Sequence, residues 1–320
     1  MKAKSKGGKM QATKSLTQTN KAGKQEAYLD KIRALDPKAR LLHWIRQREQ
    51  VRITKSQGKP KPWTDDPILQ SYRFCNVRRM DDRVSEWLEM NWYVKYYNHQ
   101  SMVIAAVLAR HFNQPSTLAR IGFPIGVYHS KQNYLRYATN SKAAIAQLKV
   151  KSENIIFNSA YIIRADGKFP NKVDMVFDET VQQFVDDPPD LNTDSMERCV
   201  EELMHYRNIG SFMAGQIAAD LRWGLKGKWA DKDKWAAIGP GSKRGMNILH
   251  NREIEAPLKQ EQFVEELREL IAFIKKALPT SITSRLEAID YQNCLCEMSG
   301  YEKVLWGRGR KKQLYDGGAI

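Results

Sequence analysis

The stretch "MERCVEELMHYRNIGSFMAGQIAADLRW" runs from residue 196 to 223. Met196, Val200 and Leu203 fall on one side of a first helix. Asn208-Ile209-Gly210 then makes a tight turn, and a second helix begins at Ser211. Phe212, Ala214, Ile217 and Leu221 give it a packing face. Gly210, Ala214, Gly215 and Ala218 are small enough to let two helices approach closely. Any helical hairpin closed by glycine shows this pattern, so the segment predicts a helix pair and leaves its purpose open.

The rest of the chain reads the same way. Helices are predicted over 27–52, 141–150, 194–207, 211–223, 257–278 and 283–298. A further one follows "RFCNV", with Val77, Met80, Val84, Trp87 and Leu88 at helical spacing. "SMVIAAVLARHF" (101–112) is apolar nearly all round and predicts a central buried helix. "KSQGKPKPWTDDP" (55–67) carries three prolines and reads as a loop. Only 154–177 looks strand-like, with room for one small hairpin around Ala165-Asp166-Gly167. The fold class is therefore mostly α, with at most a small β-hairpin. Residues 1–26 read as a disordered basic arm, 27–315 as one helical catalytic domain, and 316–320 as a tail.

Lys and Arg number 52 against 36 Asp and Glu, for a formal charge of +16. Removing the seven lysines of residues 1–24 still leaves +9 on the body. A surplus of this size favours a polyanionic partner, with nucleic acid first. Cys75, Cys199, Cys294 and Cys296 form no CxxC pair and no zinc spacing, so free thiols and no metal are expected. No apolar run is long enough to span a bilayer.

Three further segments carry candidate chemistry. "DKWAAIGPGSKRGMN" (233–247) sets Gly239 and Gly241 around a proline, then Ser242, Lys243 and Arg244. Backbone N–H groups freed by glycine, a hydroxyl and two cations suit phosphate. The segment is no Walker A loop, because GxxxxGK[ST] is absent. A glycine-rich turn with two solvated bases would read alike. In "YRFCNVRRMDDRVSEW" (72–87), one helix would bring Asn76, Arg79 and Arg83 together as an anion site or an internal ion-pair network. In "SRLEAIDYQNCLCEMSGYEKVLWGRGRKK" (284–312), Asp290, Asn293 and Glu297 share a face. These carboxylates suit a general base, or simple pairing with nearby arginines.

The 196–223 hairpin resembles the helix-hairpin-helix of DNA glycosylases, whose turn presents backbone N–H groups to a DNA phosphate. By that likeness Asn208, Gly210 and Ser211 would hold the DNA backbone. "PWTDDPILQSYRFCNVRRMDDRVSEW", "IFNSAYII", "WAAIGPGSKRGMN" and "DYQNCLCEMSGYEKVLWGRGRKK" occur in that order. Together, over roughly residues 40–315, they resemble the phage α-glutamyl/putrescinyl thymine pyrophosphorylases, which are amino acid:DNA transferases. Their relatives include the helical domain attached to 5-hydroxymethyluracil DNA kinases. Met80 departs from the pattern, standing where many relatives carry an acid.

The resemblance implies a DNA glycosylase-like helical fold acting on double-stranded DNA in the cytoplasm of an infected bacterium. The implied reaction displaces pyrophosphate from 5-pyrophosphoryloxymethyluracil and installs an amino acid through its amine. It needs no cofactor beyond that co-substrate, and a 5-hydroxymethyluracil DNA kinase as functional partner. Gly239, Gly241, Ser242, Lys243, Arg244, Arg79 and Arg83 would then hold pyrophosphate. Asp290, Glu297 or Asp82 would serve as the catalytic carboxylate, and Asn76 and Asn293 would hold the base or organise the site. Two alternatives remain open. One is a glycosylase using Asp231 or Asp233; the other is a non-catalytic DNA-binding helical module.

Overall fold

A computed structural model describes residues 22–150, 155–158, 168–225, 229–311 and 314–315. Its main helices are α1 (residues 22–33), α2 (Pro37–Ser56), α3 (Arg83–Leu88), α4 (Met102–Phe112), α5 (Lys131–Val150) and α6 (Gln182–Asp186). There follow α7 (Met196–Leu203), α8 (Ser211–Gly224), α9 (Pro240–Leu249), α10 (Gln260–Ala277) and α11 (Ala288–Leu305). The fold is mostly α. Among the described residues no strand forms, and one isolated bridge joins Tyr72 to Leu314. No described helix is long and apolar enough to cross a membrane.

Several boundaries move for identifiable reasons. The helix expected over 27–52 is two. Pro37 begins α2, and Asp36 caps it by accepting from the Ala39 N–H at 3.0 Å. Residues 22–26, read as part of the disordered arm, already belong to α1. The short helix expected at 141–150 starts at Lys131. Where strands were expected, Lys172–Asp174 and Met175–Val181 are helical, and Asn171 caps them through the N–H groups of Val173 and Asp174. The expected hairpin turn at 165–167 lies outside the described residues.

The core forms around α4, whose residues 104–112 are all buried. α8 packs on α4 closely enough that a Cβ on Gly224 would meet the Met102 side chain. The glycines of 239–245 also have a packing explanation. Helix α9 starts at Pro240, so the expected loop is a helix N-terminus. Its capping box pairs the Gly239 N–H with Ser242 Oγ at 2.9 Å. Gly241 and Gly245 press α9 onto α11, against Cys296 and the Leu295 carbonyl.

A Cβ at Gly245 would lie 2.2 Å from the Leu295 oxygen, and backbone cannot yield cheaply. We expect Gly245→Ala to lower unfolding free energy by about 1–3 kcal/mol. Urea denaturation measures it, and an unchanged midpoint would refute this packing.

Candidate functional site

The segment 73–82 supplies the largest share of the site and has almost no regular structure: it is extended to Asn76, then makes a single turn at Arg79–Asp81. Its backbone groups must therefore be satisfied from elsewhere. Arg48 of α2 donates through Nε to the carbonyls of Phe74 (3.2 Å) and Cys75 (3.0 Å). Glu297 of α11 accepts from the Cys75 N–H at 3.1 Å, and Asp290, two turns earlier, from the Arg79 N–H at 2.7 Å. Asp82 accepts from the Asn76 N–H at 2.9 Å. The backbone at Asp82 is extended (ψ 134°), and α3 starts only after it. Asn76, Arg79 and Arg83 therefore do not share a helix face, as the sequence had suggested.

The segment borders a cavity of about 810 Å³. One wall is α2, with Arg48, Arg52 and Lys55 at i, i+4 and i+7. The segment beside it adds Arg73, Asn76, Asp82 and Arg83. Arg79, Arg110 and Gln216 form the floor, with Asn293 also lining the cavity. Among the described lining residues, seven cations meet two carboxylates, Asp81 and Asp82. Asp81 is engaged by Arg78 at 3.1 Å, with Arg52 and Arg285 within 3.6 Å. Burial lowers the Lys55 pKa, and the like charges of Arg73, Arg83, Arg48 and Lys61 lower it further.

Asp82 is the carboxylate left to act. Burial pushes its pKa up to about 7, against the opposing pull of the Asn76 N–H and the Arg48 charge; nearby Glu297 adds to the rise. It still keeps a partly exposed face. Cys75 also lines the cavity, but burial raises its thiol pKa well above the ordinary value, so no thiolate nucleophile stands there.

The floor rests on a buried network. Asp220 of α8 accepts from Arg79 Nη2 (2.7 Å), Arg110 Nε (2.5 Å), Arg110 Nη2 (2.6 Å) and the Tyr93 hydroxyl (2.6 Å). Arg79 Nε donates to Gln216 at 2.9 Å. Burial alone would raise the Asp220 pKa, but the guanidiniums of Arg110 and Arg79 hold it below 3.8.

Residues 38–311 match the family described as 5-hmdU DNA kinase, helical domain. The chain belongs to this helical-domain family. A relative is the 5-hmdU DNA kinase of Bacillus phage SP10, 26% identical over 219 residues. The match covers 60% of this chain and 33% of that kinase, so the helical domain corresponds to about a third of the relative's length. No solved structure matches.

Within this helical domain the candidates named from sequence divide. Asn76, Arg79, Asp82, Arg83 and Asn293 line the cavity. Among the described residues, the Asn76 Oδ1 and Asn293 Nδ2 atoms have no hydrogen-bond partner. Asp290 and Glu297 do share a face of α11, yet neither lines the cavity. Asp290 is clamped by backbone N–H groups of Arg79 and Glu287, and Glu297 pairs with Lys311. Gly239, Gly241, Ser242, Lys243 and Arg244 also stand outside the lining. Ser242 is fully buried and accepts from Gln292 at 3.0 Å, while Lys243 and Arg244 reach Glu255.

Asn208 makes the turn before α8 with a left-handed backbone (φ +66°), and its amide donates to Glu179 and Thr180. Gly210 and Ser211 sit at the N-terminus of α8, about 9 Å along the axis from Gln216 in the cavity floor. Asp231 caps α7 through Ser195, Met196 and Glu197, and Asp233 is exposed beside Lys232.

Sequence reading missed Arg48, Arg52, Lys55, Arg110 and Asp220. A signal existed for each. The first three form a basic stripe on one helix, and the last two are charges set within largely apolar helices, where a charge needs a buried partner.

Proposed function

We propose that this chain transfers an amine, supplied by an amino acid, to the 5-methylene of 5-pyrophosphoryloxymethyluracil in DNA. The supporting observation is a carboxylate of raised pKa, Asp82, facing a cavity in whose described lining seven cations outnumber two carboxylates. A departing pyrophosphate and a proton-accepting base need that combination. The amine nitrogen's lone pair forms the new C–N bond to the methylene carbon. The C–O bond breaks, and its electron pair leaves with pyrophosphate. Asp82 takes the proton from the nitrogen.

Arg48, Arg79, Arg83 and Lys55 stabilise the leaving group. Asn76 and Asn293 face the base, whose polar edge offers both donors and acceptors. The target carbon lies at the edge of a stacked base, so the nucleotide enters the cavity flipped out of the duplex. The phage relative, a kinase of 5-hmdU DNA by name, acts on the same class of modified base and supports this reading.

The test is nucleoside mass spectrometry. DNA carrying 5-pyrophosphoryloxymethyluracil is incubated with the protein and a pool of amino acids, then digested. A thymidine adduct with equimolar pyrophosphate is the expected result, and its mass names the amino acid. Unaltered nucleoside despite tight DNA binding would replace the reading with a binding module. Loss of the base would replace it with a glycosylase.

A further inference from the structure

Two basic segments from distant parts of the chain meet at the mouth of the cavity. Residues 55–63, "KSQGKPKPW", hold three lysines and no acid. Residues 307–311, "GRGRK", hold three cations and no acid. The second segment is fixed against the site. Lys311 pairs with Glu297 and lies 3.8 Å over the Phe74 ring, and Leu314 bridges to Tyr72. The Tyr315 N–H donates to the Ser71 carbonyl at 3.4 Å. Tyr315 then meets the Trp63 ring edge-on at 5.4 Å, which joins the two segments.

Two lysines at this junction, Lys55 and Lys61, are held by rings. Lys55 and Lys61 stand 5.5 and 5.3 Å over Trp63, and Lys61 stands 5.2 Å over Tyr315. A carboxylate partner would fix an ammonium and cancel its charge, whereas a ring fixes it and leaves the charge in place. Lys59, Lys61, Arg308 and Arg310 are exposed. Lys55, Leu314 and Tyr315 also line the cavity, so the basic lip runs into it without a break. An occupant that suits both must be extended, repeatedly anionic and able to present one unit to a deep pocket.

We propose that this lip, residues 59–63 with 308–311 and 314–315, holds the DNA backbone beside the nucleotide that enters the cavity. The inference rests on the function proposed above only in taking DNA as the substrate. It adds a grip distinct from the N-terminus of α8 at Gly210.

Fluorescence anisotropy with a labelled duplex of about 20 base pairs containing 5-hydroxymethyluracil, titrated over a salt series, tests it. Combined Lys59→Ser, Lys61→Ser, Arg308→Ser and Arg310→Ser substitution should weaken binding about tenfold or more. The slope of log affinity against log salt should flatten by about 0.9 for each phosphate that the variant no longer neutralises. Gly210→Asp is the comparison, since its Cβ meets open space and its carboxylate would repel phosphate at α8. Arg310→Glu alone keeps the proposal testable should the fourfold variant fail to fold; it should weaken binding about fivefold. Unchanged affinity and slope in folded lip variants overturn the proposal, and so does loss of binding confined to Gly210→Asp. Weakened binding by the lip variants, alongside unaltered nucleosides in the transfer assay, would retain the lip and discard the transfer reaction.

Discussion

Asp82→Asn is expected to lower turnover about 10²- to 10⁴-fold, the usual contribution of a positioned general base. The substitution keeps an oxygen that can accept from the Asn76 N–H, so the segment 73–82 retains its shape. What it removes is the proposed proton acceptor. The pH profile is the sharper readout. Asp82 titrates at about 7, so the wild-type rate should climb as pH rises through 7 and level off above it. The residual activity of Asp82→Asn should lack that limb.

Stability should move the other way. The folded chain binds this proton more tightly than the unfolded chain, whose carboxylate titrates near 3.8. Ionising Asp82 therefore destabilises the fold progressively between about pH 4 and 7, and the cost is full above 7. At about 1.4 kcal/mol per pH unit the upper limit is about 4 kcal/mol, reduced by water in the cavity. Asp82→Asn should melt higher than wild type at pH 8, and the gap should close at pH 4. A variant that lost activity and stability together at pH 8 would assign Asp82 to structure rather than to catalysis.

The helices were legible in the sequence because apolar spacing and small-residue turns are local. α8 begins at Ser211 as read, and the run 101–112 is the buried centre of the fold. The cavity was only half legible. Asn76, Arg79, Asp82 and Arg83 were drawn from one segment, but their convergence depends on an extended backbone that side chains from α2 and α11 hold in place. Helical periodicity cannot describe such a segment.

The glycine-rich stretch 239–245 reads two ways for a related reason. Glycines that free a backbone for phosphate and glycines that let two helices touch have the same letters. Only the partner surface, here Leu295 and Cys296, tells them apart. Likewise, Asp290 and Glu297 had the spacing of a catalytic pair. They spend it on N–H groups of the loop that carries Asp82.

Asp220→Ala is the substitution expected to damage the fold most. It would leave Arg79, Arg110 and the Tyr93 hydroxyl around an empty acceptor site, with both guanidiniums more than nine-tenths buried. Removing one member of such a buried network costs about 3–5 kcal/mol, since the remaining charges stay desolvated without compensation. Urea denaturation should show the loss at pH 7. The sign of the pH dependence follows from the lowered Asp220 pKa. The stabilisation is complete above 3.8 and disappears as pH falls through the folded value, so the deficit of Asp220→Ala should shrink in strong acid.

Activity should also fall where the variant still folds, because Asp220 holds the Arg79 guanidinium on the cavity floor while Asp290 holds the same residue's backbone. Double-mutant comparison with Arg110→Ala separates the two effects. Coupling of more than about 1 kcal/mol in stability identifies the pair as one unit. A cost below about 1 kcal/mol for Asp220→Ala alone would mean that water reaches these charges in solution. The floor of the cavity would then be open, and Arg79 would not be preorganised to meet a phosphate.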